Sequence, residues 1–191
     1  MQALHNESET REALILAGIE EIDRSGLRNF SVRRIASACG VSCAAPYKHF
    51  ENRTDFILAI LQYINSRWNA VQEEILSRGI DTRALLVEIS VAYVRFLVEH
   101  PYFRSMIMLR DDTMSEEMLR EKGALSACSR MLIHRYCQAV HMDAATEKRK
   151  TYVVRSLIYG AALMIDNGEL PGNEESYAIV REAVEREFDL Q

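Results

Sequence analysis

The chain has 191 residues, of which 48% are apolar and 27% charged, and its formal net charge is −5. This balance excludes a disordered tail, and the length suits one ordinary domain or one domain with a small second module. No run of about 18 uninterrupted apolar residues occurs, so we expect no membrane span. The first residues lack a basic region followed by an apolar core, so we expect a cytoplasmic protein whose four cysteines are free thiols.

Apolar residues recur at helical spacing along most of the chain, and only 3 Pro and 8 Gly are present. In chain order the pattern predicts about nine helices and an all-α fold. The predicted helices span about 10–25, 32–38, 42–50, 52–79, 82–100, 101–110, 115–141, 143–167 and 174–188, with a polar loop at 111–113. We expect N-caps at Ser31, Ser42, Asn52 and Asp143, and a turn at Gly40.

The positive charge is concentrated near the N-terminus. Between Arg28 and Arg53 there are five cations and one anion, so this segment carries +4 and the rest of the chain −9. A compact basic segment on an acidic protein indicates a local contact with a polyanion. A solvated basic face without a partner is the alternative interpretation.

Residues 31–53, with the sequence SVRRIASACGVSCAAPYKHFENR, have the pattern of a helix-turn-helix. The small side chains of Cys43, Ala44 and Ala45 would let the second helix enter a DNA major groove. Free N–H groups beside Ser42 can face a phosphate. Tyr47 follows one turn later, next to Lys48, where both can reach the DNA backbone.

This segment resembles the DNA-binding domain of the TetR/AcrR family of bacterial regulators, and the resemblance covers residues 10–60. The matching residues are Ser31, Ile35-Ala36, Cys39-Gly40-Val41-Ser42, Tyr47-Lys48-His49-Phe50 and Arg53. Ala44-Ala45-Pro46 departs from the Gly-Thr-Leu that is frequent in the family. Residues 92–108 and 156–168 also resemble the regulatory domain of one subgroup, although Arg155 and Tyr159 stand where that subgroup usually has Trp and His.

The resemblance implies a helix-turn-helix DNA-binding domain at 1–53 and a larger helical ligand-binding and dimerisation domain at 54–191. It implies a repressor that binds a palindromic operator in double-stranded DNA as a homodimer and is released by a small molecule. A DNA-binding dimer whose C-terminal domain docks a protein partner is the alternative. The expected DNA-contacting residues are Ser31, Arg33, Arg34, Ser42, Cys43, Ala44, Ala45, Tyr47, Lys48, His49, Arg53 and Thr54.

Two further sets of residues are predicted for the second domain. An apolar ligand cavity is expected to be lined by Trp68, Tyr93, Phe96, Phe103, Met106, Met131, His134, Tyr136, Tyr159 and Met164, and a filled core is the alternative. The dimer interface is expected at Gly160, Ala161, Tyr177, Val180, Val184 and Phe188.

No cofactor, metal or catalytic residue is expected, because no nucleophile motif or phosphate-binding loop is present. His134, Cys137 and His141 have a spacing that could present three ligands to zinc, but no fourth ligand is in register. Polar residues beside a pocket are the favoured interpretation. Cys39 and Cys43 are interpreted as small core residues rather than a redox switch.

Overall fold

The structure, a computed structural model, describes residues 2–108 and 114–190, without the side chains of residues 2–6, 102, 105, 106 and 108. No strand occurs among the described residues, so the all-α prediction is confirmed. The helices are α1 Gln2–Ser25, α2 Val32–Ala38, α3 Arg53–Leu76, α4 Thr82–Glu99, α5 Pro101–Met108, α6 Glu116–Ala124, α7 Ala127–Ala139, α8 Ala144–Asp166 and α9 Glu174–Asp189, with short 3₁₀ helices at Leu27–Asn29 and Pro46–Lys48. The polar loop predicted at 111–113 lies outside the described residues.

Side-chain caps fix the starts of six segments. Ser115 caps α6, with its hydroxyl accepting from the N–H of Met118 at 3.3 Å, and three of the other caps were predicted. The side-chain oxygens of Ser31, Asn52 and Asp143 each accept a hydrogen bond from the N–H three residues later, at 3.3, 3.0 and 2.7 Å. Asp81 and Asn173 cap α4 and α9 in the same way. Each bond satisfies one of the N–H groups that a helix start leaves without an internal partner.

The predicted helix at 42–50 is wrong as a regular α-helix. This segment consists of turns and the 3₁₀ helix Pro46–Lys48. Most of its backbone bonds join residues three apart, such as Ala45 N–H to Ser42 O at 2.9 Å and Lys48 N–H to Ala45 O at 3.1 Å, and only the last, from Phe50 N–H to Pro46 O, joins residues four apart. Pro46 has no N–H to donate to Ser42, and its ring crowds the carbonyl four residues earlier. The segment therefore tightens into 3₁₀ geometry.

The predicted helix at 115–141 is divided into α6 and α7 by a turn at Leu125 and Ser126. Leu125 is buried, and its carbonyl accepts a hydrogen bond of 2.9 Å from the indole N–H of Trp68. The indole thus satisfies a carbonyl that the interrupted helix does not use. This contact comes from a residue 57 positions away, so the local pattern did not reveal it.

The residues group into two compact units, one formed by 1–66 and 102–123 and the other by 67–101 and 124–191. In the first unit, α1 packs against α2. Phe56 on α3 stacks on Phe50 with ring centroids 3.9 Å apart and meets Phe30 edge-on at 5.3 Å. A Cβ on Gly18 of α1 would lie 2.8 Å from Ile60 and 3.3 Å from Phe56, so only glycine allows α1 to approach α3 this closely.

In the second unit, α4 is the central helix and packs against α7, α8 and α9. Trp68 is fully buried and stacks on Tyr93 at 4.6 Å, with Phe96 at 5.2 Å. At the end of α9, the fully buried Lys150 donates to the carbonyl oxygens of Glu187 and Leu190. None of the described helices is long and apolar enough to cross a membrane.

Candidate DNA-binding surface and ligand site

The turn of the helix-turn-helix is a Schellman motif at the end of α2. Gly40 has a φ of +67°, which a glycine adopts without strain. Its N–H bonds to Ser37 O at 3.2 Å, and the N–H of Val41 bonds to Ala36 O at 3.0 Å. These two bonds satisfy carbonyls at the helix end and fix the direction in which the chain leaves α2.

The residues predicted to contact DNA differ in exposure. Tyr47 exposes 58% of its surface, and Arg33, Ser42, Cys43, Ala44, Lys48 and Thr54 are also exposed, whereas Ser31, Ala45, His49 and Arg53 are half-buried. Neither Arg33 nor Lys48 has an acidic partner among the described residues. These two cations, with the hydroxyl of Tyr47, are available to an anionic partner.

Arg34 is directed toward the protein rather than solely toward solvent. Its Nε lies 2.8 Å from a carboxylate oxygen of Glu21, whose side chain is only 1% exposed, and its Nη2 donates to Asn29 O. Arg24 donates to the same carboxylate at 2.9 Å. Burial raises the pKa of Glu21, but hydrogen bonds from Arg34 and Arg24, reinforced by their charges, hold this pKa below its ordinary value. The ion pair joins α2 to α1. It does not decide the predicted DNA contact, because the side chain of Arg34 is 52% exposed.

Arg53 also has an internal role. Its guanidinium donates to Phe30 O at 3.4 Å and to Leu27 O, and it lies over the Phe30 ring at 5.8 Å. Arg53 therefore holds the loop before α2 against the start of α3. These contacts likewise do not decide the predicted DNA contact of Arg53, which is half-buried.

The two thiols of the first unit, Cys39 and Cys43, differ in environment. Cys39 is half-buried and lies 3.7 Å from Ala13 O, and burial together with the charge of Glu20 raises the pKa of its thiol. Cys43 is exposed. A raised pKa lowers the thiolate fraction at Cys39, so its environment is that of a packing residue.

The predicted ligand cavity is only partly assembled. Trp68, Tyr93 and Phe96 form one packed aromatic cluster, and Tyr159 meets Tyr93 edge-on at 6.4 Å. Three other predicted members, Met131, His134 and Met164, are exposed on the surface and do not line a cavity with this cluster.

The remaining predicted cavity residues have structural contacts or lie outside the described part. Tyr136 donates its hydroxyl to Phe188 O at 2.7 Å and packs on the Phe188 ring, so it anchors the end of α9. Phe103 is buried in the first unit, edge-on to Tyr63. The side chain of Met106 lies outside the described residues.

Open grooves flank the aromatic cluster. One of about 390 Å³ runs between α3 and α4 and includes Phe96 in its lining, with Arg67, Arg95, His100, Glu74 and Glu99 among its charged and polar residues. Another, of about 360 Å³, follows α8 and is lined by Lys148, Thr151, Tyr152, Arg155, Ser156 and Tyr159. Both volumes lie in the range of small-molecule sites.

The spacing of His134, Cys137 and His141 does not produce a metal site in the part of the chain that the structure describes. Cys137 is fully buried, whereas His134 points to solvent and lies 3.1 Å from Glu147. His141 occupies the turn after α7 with a φ of +58°. No group of three metal-binding side chains occurs among the described residues.

The residues predicted to form the dimer interface are mostly interior residues of a single chain. Tyr177, Val180, Val184 and Phe188 are at most 6% exposed within the protomer, on the side of α9 that packs on α4 and α8. The prediction is corrected for these four residues, because the apolar stripe of α9 already has its partners. Ala161 is buried at 9% exposure and Gly160 is half-buried.

Sequence reasoning missed an apolar patch on the outer side of α8 and α9. Ile179 is 53% exposed, and with Val153, Leu157, Ala183 and Leu190 it lines a shallow groove. The available signal was the position of Ile179 outside the buried stripe that contains Val180 and Val184. An isoleucine on the polar side of an amphipathic helix marks a surface that a partner can cover.

Comparisons with known proteins agree with this architecture. Residues 14–60 match the family model of bacterial regulatory proteins of the tetR family. A TetR family transcription regulator from Marinobacter aquaeolei VT8 superposes with a TM-score of 0.78 at 20% identity, covering 98% of each chain. A Rhodococcus sp. structure assigned to the same family has a TM-score of 0.65 at 25% identity, covering 95% of this chain and 99% of the other.

The transcriptional regulator FadR from Bacillus subtilis, in complex with stearoyl-CoA, superposes with a TM-score of 0.73 at 14% identity. The alignment covers 93% of this chain and 97% of FadR. Likeness at this identity establishes a shared fold. The matched N-terminal segment carries the stronger statement: over residues 14–60 the chain is similar to the bacterial regulatory proteins of the tetR family.

Proposed function

We propose that the protein is a repressor that binds a palindromic operator as a homodimer and is released when a small molecule binds its second unit. The observation that carries the DNA-binding part is the exposure of Arg33, Tyr47 and Lys48 around the Schellman turn. These residues lie in a segment of charge +4 on a chain whose remainder carries −9. Elsewhere the chain repels DNA, so its contact is confined to this surface.

Each exposed residue has a distinct role in the proposed contact. Lys48 pairs with a phosphate, and Tyr47 donates its hydroxyl to the backbone beside it. Arg33 reads a base edge or a phosphate from the start of α2. The small exposed residues Ser42, Cys43 and Ala44 allow the tightened segment before Pro46 to approach the groove closely. Arg34 fixes α2 against α1, and Arg53 fixes the start of α3 against the loop before α2.

The proposed dimer uses the outer faces of α8 and α9. Ile179, Leu157 and Val153 form an apolar patch there, and Gly160 lies on the same side of α8. Covering exposed apolar surface with an identical surface is the usual basis of a two-fold dimer. Two helices from each chain would then form a four-helix interface. The dimer would present two DNA-binding domains to the two halves of a palindromic operator.

The effector site is proposed in the second unit, beside the cluster of Trp68, Tyr93 and Phe96. Support comes from grooves of small-molecule size around this cluster and from the fold shared with FadR from Bacillus subtilis, which holds stearoyl-CoA. A ligand that binds the DNA-free state more tightly lowers operator affinity by the same factor as DNA lowers ligand affinity.

One observation favours the alternative of a protein partner. The grooves described above are open to solvent, and the aromatic cluster is filled rather than hollow. Shallow grooves, together with exposed apolar residues of the second unit such as Met131 and Val140, suit a helix or loop of another protein.

The test of DNA binding starts with selection of operator sequences from a random double-stranded pool. Anisotropy of the labelled site is then followed between about 50 and 200 mM salt for the natural chain, for Lys48→Ala and for Arg135→Ala. Arg135 is an exposed arginine on α7 and serves as the matched control. Loss of one phosphate contact in Lys48→Ala should lower affinity on every sequence and reduce the salt slope by about one unit. Selection of no sequence, or equal slopes in both variants, would contradict the proposed contact.

A further inference from the structure

The side chains that line the groove along α8 are either positively charged or neutral. Its described lining residues carry two cations and four hydroxyl groups and include no carboxylate. They are Lys148, Thr151, Tyr152, Arg155, Ser156 and Tyr159. A lining made of cations and hydrogen-bond donors suits an anionic ligand.

The two cations of this groove have no acidic partner among the described residues. The guanidinium of Arg155 lies over the ring of Tyr159 at 5.7 Å, within the range of a cation–π contact. Elsewhere in the same unit, Arg95 and Arg181 are paired with Glu174 and Glu88. Arg155 and Lys148 are therefore free to neutralise a charge brought by a ligand.

A second observation concerns Tyr93, which does not line the groove but meets the lining residue Tyr159 edge-on at 6.4 Å. Tyr93 is 2% exposed. Burial raises the pKa of Tyr93, and the charge and the hydroxyl of Tyr159 add to the shift, while Arg155 acts in the opposite direction. The hydroxyl of Tyr93 therefore stays protonated at neutral pH, beside the hydroxyl of Tyr159, which faces the groove.

We infer that the α8 groove binds a small organic carboxylate, with Arg155 and Lys148 neutralising the charge and the hydroxyl of Tyr159 donating to its oxygens. This inference rests on the proposed function, because it names the chemical class of the effector. The aromatic rings of Tyr152 and Tyr159 provide apolar surface for the body of the acid. The volume of about 360 Å³ accommodates a single acid of modest size.

Trp68 provides a direct readout of this binding. It is the only tryptophan in the chain, and its ring stacks on Tyr93 at 4.6 Å. A ligand that contacts Tyr159 changes the ring contact between Tyr159 and Tyr93, and with it the surroundings of the indole. Fluorescence of the full chain, measured without DNA, therefore reports on the groove.

The experiment titrates the protein with sodium benzoate and sodium octanoate, and with their neutral counterparts benzamide and octanamide. Calorimetry accompanies the fluorescence. We expect at least one acid to bind saturably and its amide to bind about tenfold more weakly, the factor of one hydrogen bond to a charged group. Saturation by neither acid, or equal affinity for acid and amide, would overturn the inference. Inorganic phosphate is the third probe, and phosphate binding as tight as that of the acids would also overturn it.

Two variants locate the site. Tyr159→Phe removes only a hydroxyl and keeps the ring, so the variant should unfold at about the same temperature as the natural chain, while its acid affinity falls about fivefold to tenfold. Arg155→Gln should lose acid affinity by a similar factor, and the control Arg135→Gln on α7 should not. Unchanged affinity in both groove variants would place the acid elsewhere and overturn the assignment. The acid titrations contain no DNA, so a negative result in them does not affect the test of DNA binding. Acid binding can likewise be measured on a protein that does not bind the operator.

Discussion

The two compact units use their cations in the same two ways. In the first unit, Arg34 pairs with the buried Glu21, and Arg53 donates to backbone carbonyls. Arg33 lies next to Arg34 in the sequence, yet it has no acidic partner among the described residues. Position within a basic segment therefore does not decide whether a cation stabilises the fold or remains available to a partner.

The second unit repeats this division on α8. Lys150 is fully buried and satisfies the last carbonyls of α9, whereas Lys148 lies two residues earlier, exposed and without an acidic partner in the described part of the chain. A helix of 3.6 residues per turn places these two lysines on different sides. Cations with internal partners hold helices together, and cations without them mark the surfaces proposed to bind DNA and a ligand.

The largest expected effect extends this comparison to apolar residues. Ile179 is 53% exposed on α9, whereas Val184 on the same helix is fully buried. Ile179→Arg should leave the fold intact and prevent dimerisation, because a charge would enter the proposed interface. Operator affinity should then fall about 1,000-fold, toward the non-specific level. Sedimentation measures the mass, and Ala178→Arg on the flank of α9 is the control; a dimeric Ile179→Arg would move the interface elsewhere.

The next effect separates the two lysines of α8. Lys150→Ala should lower the free energy of unfolding by about 3 kcal/mol, because it leaves buried carbonyls and Glu187 without their partner. Lys148→Ala should change it by less than about 0.5 kcal/mol, as is usual for surface substitutions. Urea unfolding measures both values. Equal losses would show that burial does not distinguish the two residues.

A smaller effect depends on pH and concerns the buried carboxylate of the first unit. Glu21→Gln should destabilise the protein by about 2 kcal/mol at pH 7, through loss of charged hydrogen bonds. The folded pKa of Glu21 lies below the unfolded value, which is about 4.3. Its stabilising contribution is therefore complete above that pH and is lost as the pH falls through the folded pKa. The stability difference between the natural chain and Glu21→Gln should shrink on acidification, while the exposed neighbour Glu20→Gln should show no such dependence.

The sequence predicted those parts of the fold that local chemistry determines. The cap at Ser31, the short helix α2 and the turn at Gly40 all rest on residues within one or two turns of each other, and each was confirmed. The tightening at 42–50 was also local. Its signal was Pro46, whose missing N–H and bulky ring disfavour a regular α-helix at this position.

The features that sequence reasoning missed depend on contacts between distant residues. The break between α6 and α7 involves Leu125, whose carbonyl pairs with Trp68. The apolar periodicity of α9 identified its buried face. A periodic pattern does not distinguish a face buried within one chain from a face buried between two chains. The inward role of Arg34 likewise depends on Glu21, an acidic residue 13 positions earlier.

The most direct measurement is the salt dependence of operator binding by Arg33→Ala and Arg34→Ala, compared with the natural chain at a temperature where all three are folded. The two arginines are adjacent, and they differ in whether the protein itself supplies a partner. We expect Arg33→Ala to reduce the salt slope by about one unit and Arg34→Ala to leave the slope unchanged while unfolding more readily. Equal slope reductions in the two variants would contradict the division between cations that hold the fold and cations that bind DNA.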